Sequence, residues 1–160
     1  MIYALIIAAI VIFDQIVKYF SVTVLAAMPG ATAPFIPGFM NLTYAENTGA
    51  AFGSFGNATW LLAIVSGVMA VVIIYLLFKY KKQFNSKLFN LSMCFIAGGA
   101  IGNLIDRLFV GHVVDMLEFD FVRFAIFNVA DCFVTFGAIM LGVFVIWFWE
   151  KNKKDKHHEA

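Results

Sequence analysis

Hydrophobic residues run through this chain in four long stretches, and only one of the four is uninterrupted. Residues 60–78, WLLAIVSGVMAVVIIYLLF, carry no charge. At about 1.5 Å per residue, a helix of that length crosses a hydrocarbon core about 30 Å thick. Residues 2–25, 88–108 and 124–149 are as long but contain polar side chains. The pattern therefore predicts four membrane-spanning helices, three of which do something besides span. Between the first two lies a stretch punctuated by Pro29, Gly30, Pro34, Pro37 and Gly38, in which the partial alternation of FMNLTY, residues 39–44, predicts a short strand. NTGAAFGSFG, residues 47–56, follows it. So many glycines and aromatics there suit a lid or cradle that lies on the membrane surface or over a cleft.

Composition strengthens this reading. The 160 residues are 62% hydrophobic and 13% charged, with a mean hydropathy of +0.90, outside the range of soluble globular domains. The expected fold is an all-α integral membrane protein, one polytopic domain over 1–160. Its outer loops fall at 26–59 and 109–123, with a small β-like cradle in the first, and its tail at 150–160. A cleaved signal peptide is the alternative for the first stretch, but no basic segment precedes it, and Asp14 and Lys18 interrupt it.

Charge distribution sets the orientation. Eight of the eleven basic residues are Lys79, Lys81, Lys82 and Lys87 in one loop and Lys151, Lys153, Lys154 and Lys156 in the tail. The excess of lysine in cytoplasmic segments places both inside. With four spans, the N-terminus is then cytoplasmic too, and 26–59 and 109–123 face outward. The net charge of +1, with no basic stripe interleaved with aromatics, excludes a nucleic-acid partner. Cys94 and Cys132 fall inside spans 3 and 4, where they read as packing residues; their placement supports neither a disulfide nor a metal site.

The intramembrane polar residues share one depth. Asp14 and Lys18 lie i, i+4 toward the outer end of span 1; Asn103, Asp106 and Arg107 lie on one face at the outer end of span 3; Asn128 and Asp131 open span 4. Asp115 sits in VVDMLEF, in the connection just before span 4. A carboxylate at the centre of a membrane helix costs roughly 2.5–3.5 kcal/mol on insertion scales, so such residues mark sites. Gly98 and Gly102, with Gly99 beside them, form a GxxxG that lets a neighbouring helix approach Asn103 and Arg107 closely.

Asp14 has Lys18 one turn away and Asp106 has Arg107 beside it, so both read as ionised scaffold. Asp115 and Asp131 have no basic neighbour within a turn, and the short connection allows Asp115 to fold back over the start of span 4. Two carboxylates brought close share a proton, the arrangement of aspartic proteases. His112 is the only histidine outside the tail, where His157 and His158 lie, and no outer Ser or Cys completes a triad with it. A proton- or ion-coupled transporter is the rival reading of buried carboxylates. It calls for a polar path across the whole bilayer or for broken helices in repeated halves, and the apolar second span offers neither.

FDQIVKYF, NTGAAFG, GGAIGNLIDR, VVDMLEF and FNVADCFV occur in that order along nearly the whole chain. On these strings the chain resembles the bacterial lipoprotein signal peptidases, the signal peptidase II family. The resemblance implies an aspartic endopeptidase of the bacterial cytoplasmic membrane, multi-pass, with its site on the extracytoplasmic side. Its partners would be prolipoprotein signal peptides, cut just before a diacylglyceryl-modified cysteine, and membrane lipids. It would act as a monomer and need neither metal nor organic cofactor. The catalytic pair falls on Asp115 and Asp131. The family's supporting positions fall on Asp14, Lys18, Asn47, Asn103, Asp106, Arg107 and Asn128, with Gly49 and Ala50 in the outer-loop motif.

Overall fold

The computed structural model describes residues 1–49 and 59–158, with backbone alone at Glu150 and at 152–158. Four helices, α1 (Ile2–Thr23), α2 (Thr59–Phe84), α3 (Lys87–Phe109) and α4 (Val129–His158), are joined at one end by three strands, β1 (Thr32–Ile36), β2 (Met40–Asn47) and β3 (Val113–Phe119). All four helices are long and apolar enough to cross a membrane. The chain is a multi-pass membrane protein.

The centre of the bundle is α3. Its apolar window is 67% buried, against 17–22% for the other three, because its middle is made of small residues. A Cβ on Gly98 would stand 2.7 Å from Cγ2 of Ile10 on α1, and one on Gly99 would collide with the carbonyl oxygen of Ala130 on α4. The small-residue stripe thus admits neighbours on two sides, the packing expected where lipid supplies no hydrophobic drive. Contacts of α3 with α4, α2 and α1 dominate the bundle, whereas α2 meets α4 near its own C-terminal end, where Phe84 packs on Phe144 and Phe148.

At the end away from the sheet, Phe84 packs on Phe89, Phe144 and Phe148 with ring centroids 4.9–5.3 Å apart. Leu77, Met93 and Cys94 complete this buried cluster. Asn85, at φ +42°, makes the tight turn there, and the Ser86 hydroxyl accepts from the Phe89 N–H at 3.3 Å to cap α3.

The sheet has the order β1-β2-β3, both pairs antiparallel. Ile36-Pro37-Gly38-Phe39 closes the first hairpin, with Phe39 N donating to Ile36 O at 2.9 Å and Gly38 at φ +72°, a turn that Pro at its second position and Gly at its third favour. Leu25, Val114 and Met116 form its buried patch.

Several boundaries differ from the sequence reading. The strand expected at 39–44 is β2, extended to Asn47, but the cradle is not confined to the loop between the first two spans. Its third strand, β3, comes from the connection between α3 and α4, and its backbone pairs with β2 from Met40↔Phe119 to Asn47↔Val113. Residues 124–128, assigned to span 4, lie outside the helix instead, with Phe127 bridged to Leu117. At the far end α2 continues to Phe84 and α4 to His158, so the tail is helical as far as His158. The glycine-aromatic loop expected as a lid falls largely on 50–58, outside the described residues.

Candidate active site

Helix α4 begins with a reciprocal cap. Asn128, the residue before it, accepts at Oδ1 from the Asp131 N–H (2.9 Å), and Asp131 Oδ2 accepts from the Asn128 N–H (3.2 Å). This is the capping-box exchange with Asn and Asp in the two roles. It fixes the Asp131 carboxylate at the positive end of the helix, where an anion is stabilised.

Three asparagines then present N–H groups to two carboxylates. The Asn103 oxygen is occupied by Lys18 Nζ (2.9 Å) and Asn128 Nδ2 (3.1 Å), which turns Asn103 Nδ2 onto Asp131 Oδ1 at 2.7 Å. The Asn47 oxygen accepts from Gly49 N (3.1 Å), which turns Asn47 Nδ2 onto Asp115 Oδ2 at 2.9 Å. With its own oxygen held by Asp131 N, Asn128 sends Nδ2 to Asp115 Oδ1 at 2.6 Å. Each amide is oriented by a donor on its oxygen, and all four carboxylate oxygens receive an N–H.

Asp115 sits in β3 opposite Ala45 and is 2% exposed. Burial pushes its carboxyl up to about 6; the Asn47 and Asn128 amides pull it down, the charge of Asp131 raises it, and that of Lys18 lowers it. Asp115 and Asp131 line one cavity of about 490 Å³, together with Asn47, Gly49, Asn103, Arg107 and Asn128. Its other walls include Phe119, Phe124, Phe127, Cys132, Thr135 and Phe136.

Beneath this pair lies a buried ionic knot. Lys18 Nζ is 2.9 Å from both Asp14 Oδ2 and Asp106 Oδ2, so its three protons are used on these two and Asn103. The sequence reading paired Asp106 with Arg107. Adjacent residues on a helix do not face each other, and the cation that Asp106 meets comes from α1. Gln15, which the sequence reading passed over, donates to Asp106 Oδ1 at 2.9 Å, to Asp14 Oδ2 at 3.2 Å and to Gly102 O at 3.3 Å.

Arg107 instead reaches Ser66 Oγ on α2 and the Asn103 carbonyl, both at 3.4 Å, and its buried Nε has no partner among the described residues. It faces the cavity. Cys94 packs as expected, but Cys132 is half-buried on the cavity wall. His112 lies 3.9 Å from Glu46 at the sheet edge. Ala50 lies outside the described residues. Among those described, no group of three or more His, Cys, Asp or Glu side chains could hold a metal ion.

Four spanning helices that open at one end onto a cavity lined by a carboxylate pair, Asp115 buried and Asp131 half-buried, define a multi-pass membrane protein with an acidic site. Residues 6–148 match the model of the signal peptidase II family, and the chain belongs to that family; it is a peptidase. It is 44% identical to a lipoprotein signal peptidase of Caldanaerobacter subterraneus, over 90% of this chain and 96% of that protein. It is 41% identical to one from Enterococcus faecalis, over 98% and 94%. A solved bacterial membrane enzyme, 30% identical, superposes with a TM-score of 0.79 over 90% of this chain and 87% of its own.

Proposed function

We propose that this protein removes signal peptides from prolipoproteins as an aspartic endopeptidase, with Asp115 and Asp131 as its catalytic pair. The scissile bond is the one just before a diacylglyceryl-modified cysteine. The observation that carries the reading is the shared cavity wall, where both carboxylates are held on both oxygens by N–H donors and the charge of one raises the other.

In this mechanism Asp131, at the helix N-terminus, is the ionised member and draws a proton from a water that attacks the peptide carbonyl. Asp115, buried and raised, is the protonated member; it donates to the developing oxyanion and then protonates the leaving amine. Asn47, Asn103 and Asn128 keep the two carboxylates aimed. Their N–H groups need no reorganisation as charge moves. The cavity faces the extracytoplasmic side, and both termini are cytoplasmic.

The rival transporter needs a polar route through the bundle. The opposite end is filled by Phe84, Phe89, Phe144 and Phe148, packed ring to ring. The reading is tested by incubating the purified protein in liposomes with a diacylglyceryl-modified prolipoprotein. Wild type should cut before the modified cysteine, and Asp115→Asn and Asp131→Asn should each cut at less than about a thousandth of that rate. Full activity in either folded variant would reduce that aspartate to scaffold.

A further inference from the structure

Helix α4 presents more than Asp131 to the cavity. Asp131, Cys132, Thr135 and Phe136 all line it, so the cavity continues down one face of the helix toward the bilayer interior. Thr135 lies four residues beyond Asp131, on the same face and about 6 Å further along the axis. Its side chain leans back toward the helix N-terminus, as helical side chains do, and so points up the cavity toward the dyad.

Its hydroxyl is anomalous for this depth. A threonine in an apolar helix ordinarily closes its hydroxyl onto the carbonyl one turn earlier, as Thr23 does with Tyr19 O at 2.8 Å. Thr135 is exposed, and among the described residues nothing hydrogen-bonds its hydroxyl. Within a spanning helix exposure is to hydrocarbon rather than to water, so an unmatched donor in a cavity also lined by Phe124, Phe127 and Phe136 is unfavourable unless a ligand brings an acceptor. The acceptor such a donor fits is a carbonyl oxygen that lies below the dyad, toward hydrocarbon.

We propose that Thr135 is a specificity residue whose hydroxyl donates to an ester carbonyl of the diacylglyceryl group on the substrate cysteine. This rests on the substrate reading above. The cysteine follows the scissile bond directly, so its esters are tethered a few bonds from the carbonyl the dyad attacks. The acyl chains beyond them have to run into the bilayer, which is the direction the cavity takes past Thr135. A peptide carbonyl of the signal segment would offer the same acceptor chemistry, and the choice of substrate separates the two.

The test compares two prolipoproteins that are identical except for the lipid linkage, one a diacylglyceryl diester and the other a dialkylglyceryl diether without carbonyls. Wild type, Thr135→Val and Thr135→Ser are assayed in the same liposomes. Valine keeps the β-branched shape and its rotamer, so packing is retained. The expected result is that Thr135→Val raises KM for the diester about three- to tenfold with kcat unchanged, the size of one lost hydrogen bond. The diether should be cut equally by wild type and valine variant, and serine should restore the diester preference.

Equal loss on both substrates would assign the acceptor to the peptide and overturn the proposal. So would a valine variant indistinguishable from wild type on the diester. If wild type cut neither substrate, the peptidase assignment of the cavity would itself fall, and the role of Thr135 with it.

Discussion

The carboxylate of Asp14 accepts a hydrogen bond from the backbone N–H of Ala130 at 2.8 Å, the residue immediately before Asp131. Asp106 does the same for Val114, at 3.2 Å, the residue immediately before Asp115. Lys18 joins the two carboxylates. One buried ammonium therefore sets the distance between the two backbone points from which the dyad hangs.

Removing that ammonium leaves two uncompensated buried carboxylates. Lys18→Met should lower stability by about 3–5 kcal/mol and abolish cleavage, read by thermal unfolding in detergent alongside the prolipoprotein assay. A variant with wild-type stability would show that the ion pairs are dispensable to the fold.

Acidity should report on Asp115. Its folded value near 6 lies above the unfolded value of 3.8, so between those pH values the folded chain binds more protons than the unfolded one. The contribution of this group to stability is present below pH 3.8 and is lost as pH rises to about 6. If Asp115 is the acid, kcat/KM falls tenfold per pH unit above an apparent value near 6, which belongs to the coupled pair. Asn47→Ala removes a donor that favours the ionised form, so that limb should move to higher pH. A limb that stays put would detach Asn47 from the dyad.

Asn128 serves as both cap and bridge, and two substitutions separate the roles. Asn128→Ser keeps an oxygen for the Asp131 N–H but removes the N–H donor to Asp115 without adding a charge to this buried position. It should hold helix stability to within about 1 kcal/mol while activity drops at least about a hundredfold. Asn128→Ala should lose both. Retained activity in the serine variant would mean that the bridge to Asp115 is not needed.

The glycines of α3 make a steric prediction. Alanine at Gly102 would place its Cβ 2.6 Å from Asp14 Oδ2 and 3.3 Å from the Ala130 Cβ, pressing on the ionic knot; about 1–3 kcal/mol of stability should be lost. Gly142, on α4, has nothing within 4 Å of such a Cβ. Gly142→Ala should change stability by less than about 1 kcal/mol, in the stabilising direction. Unfolding midpoints of the two variants in one detergent decide it.

The four helices and the acidic pair were legible because lipid makes their signals loud. Long apolar runs can only span, and Asp131 inside one demands a reason. What was lost involves partners far apart in sequence. Asp106 was paired with its neighbour Arg107 when its cation lies 88 positions earlier, at Lys18. β3 was taken for a connection because VVDMLEF alternates poorly and becomes a strand only when β2 is beside it. The start of α4 could have been placed better: Asn128 and Asp131 stand at the spacing of a capping box, but the apolar residues Phe124 to Ile126 drew the boundary too early. Gln15 and Thr135 carry no sequence signal, since each matters only through what surrounds its side chain.

The cap on α4 ties the chemistry to the mechanics of the helix. Asp131 Oδ2 is the acceptor that holds the Asn128 N–H, and Asp131 is also the proposed proton acceptor. A proton taken up there weakens the hold on that N–H, but Asn128 Oδ1 still accepts from the Asp131 N–H and Asn128 Nδ2 still reaches Asp115. One half of the cap therefore senses the charge on Asp131 while the other half keeps the helix start where it is, so the carboxylate that changes charge is one whose slackened bond the fold can absorb.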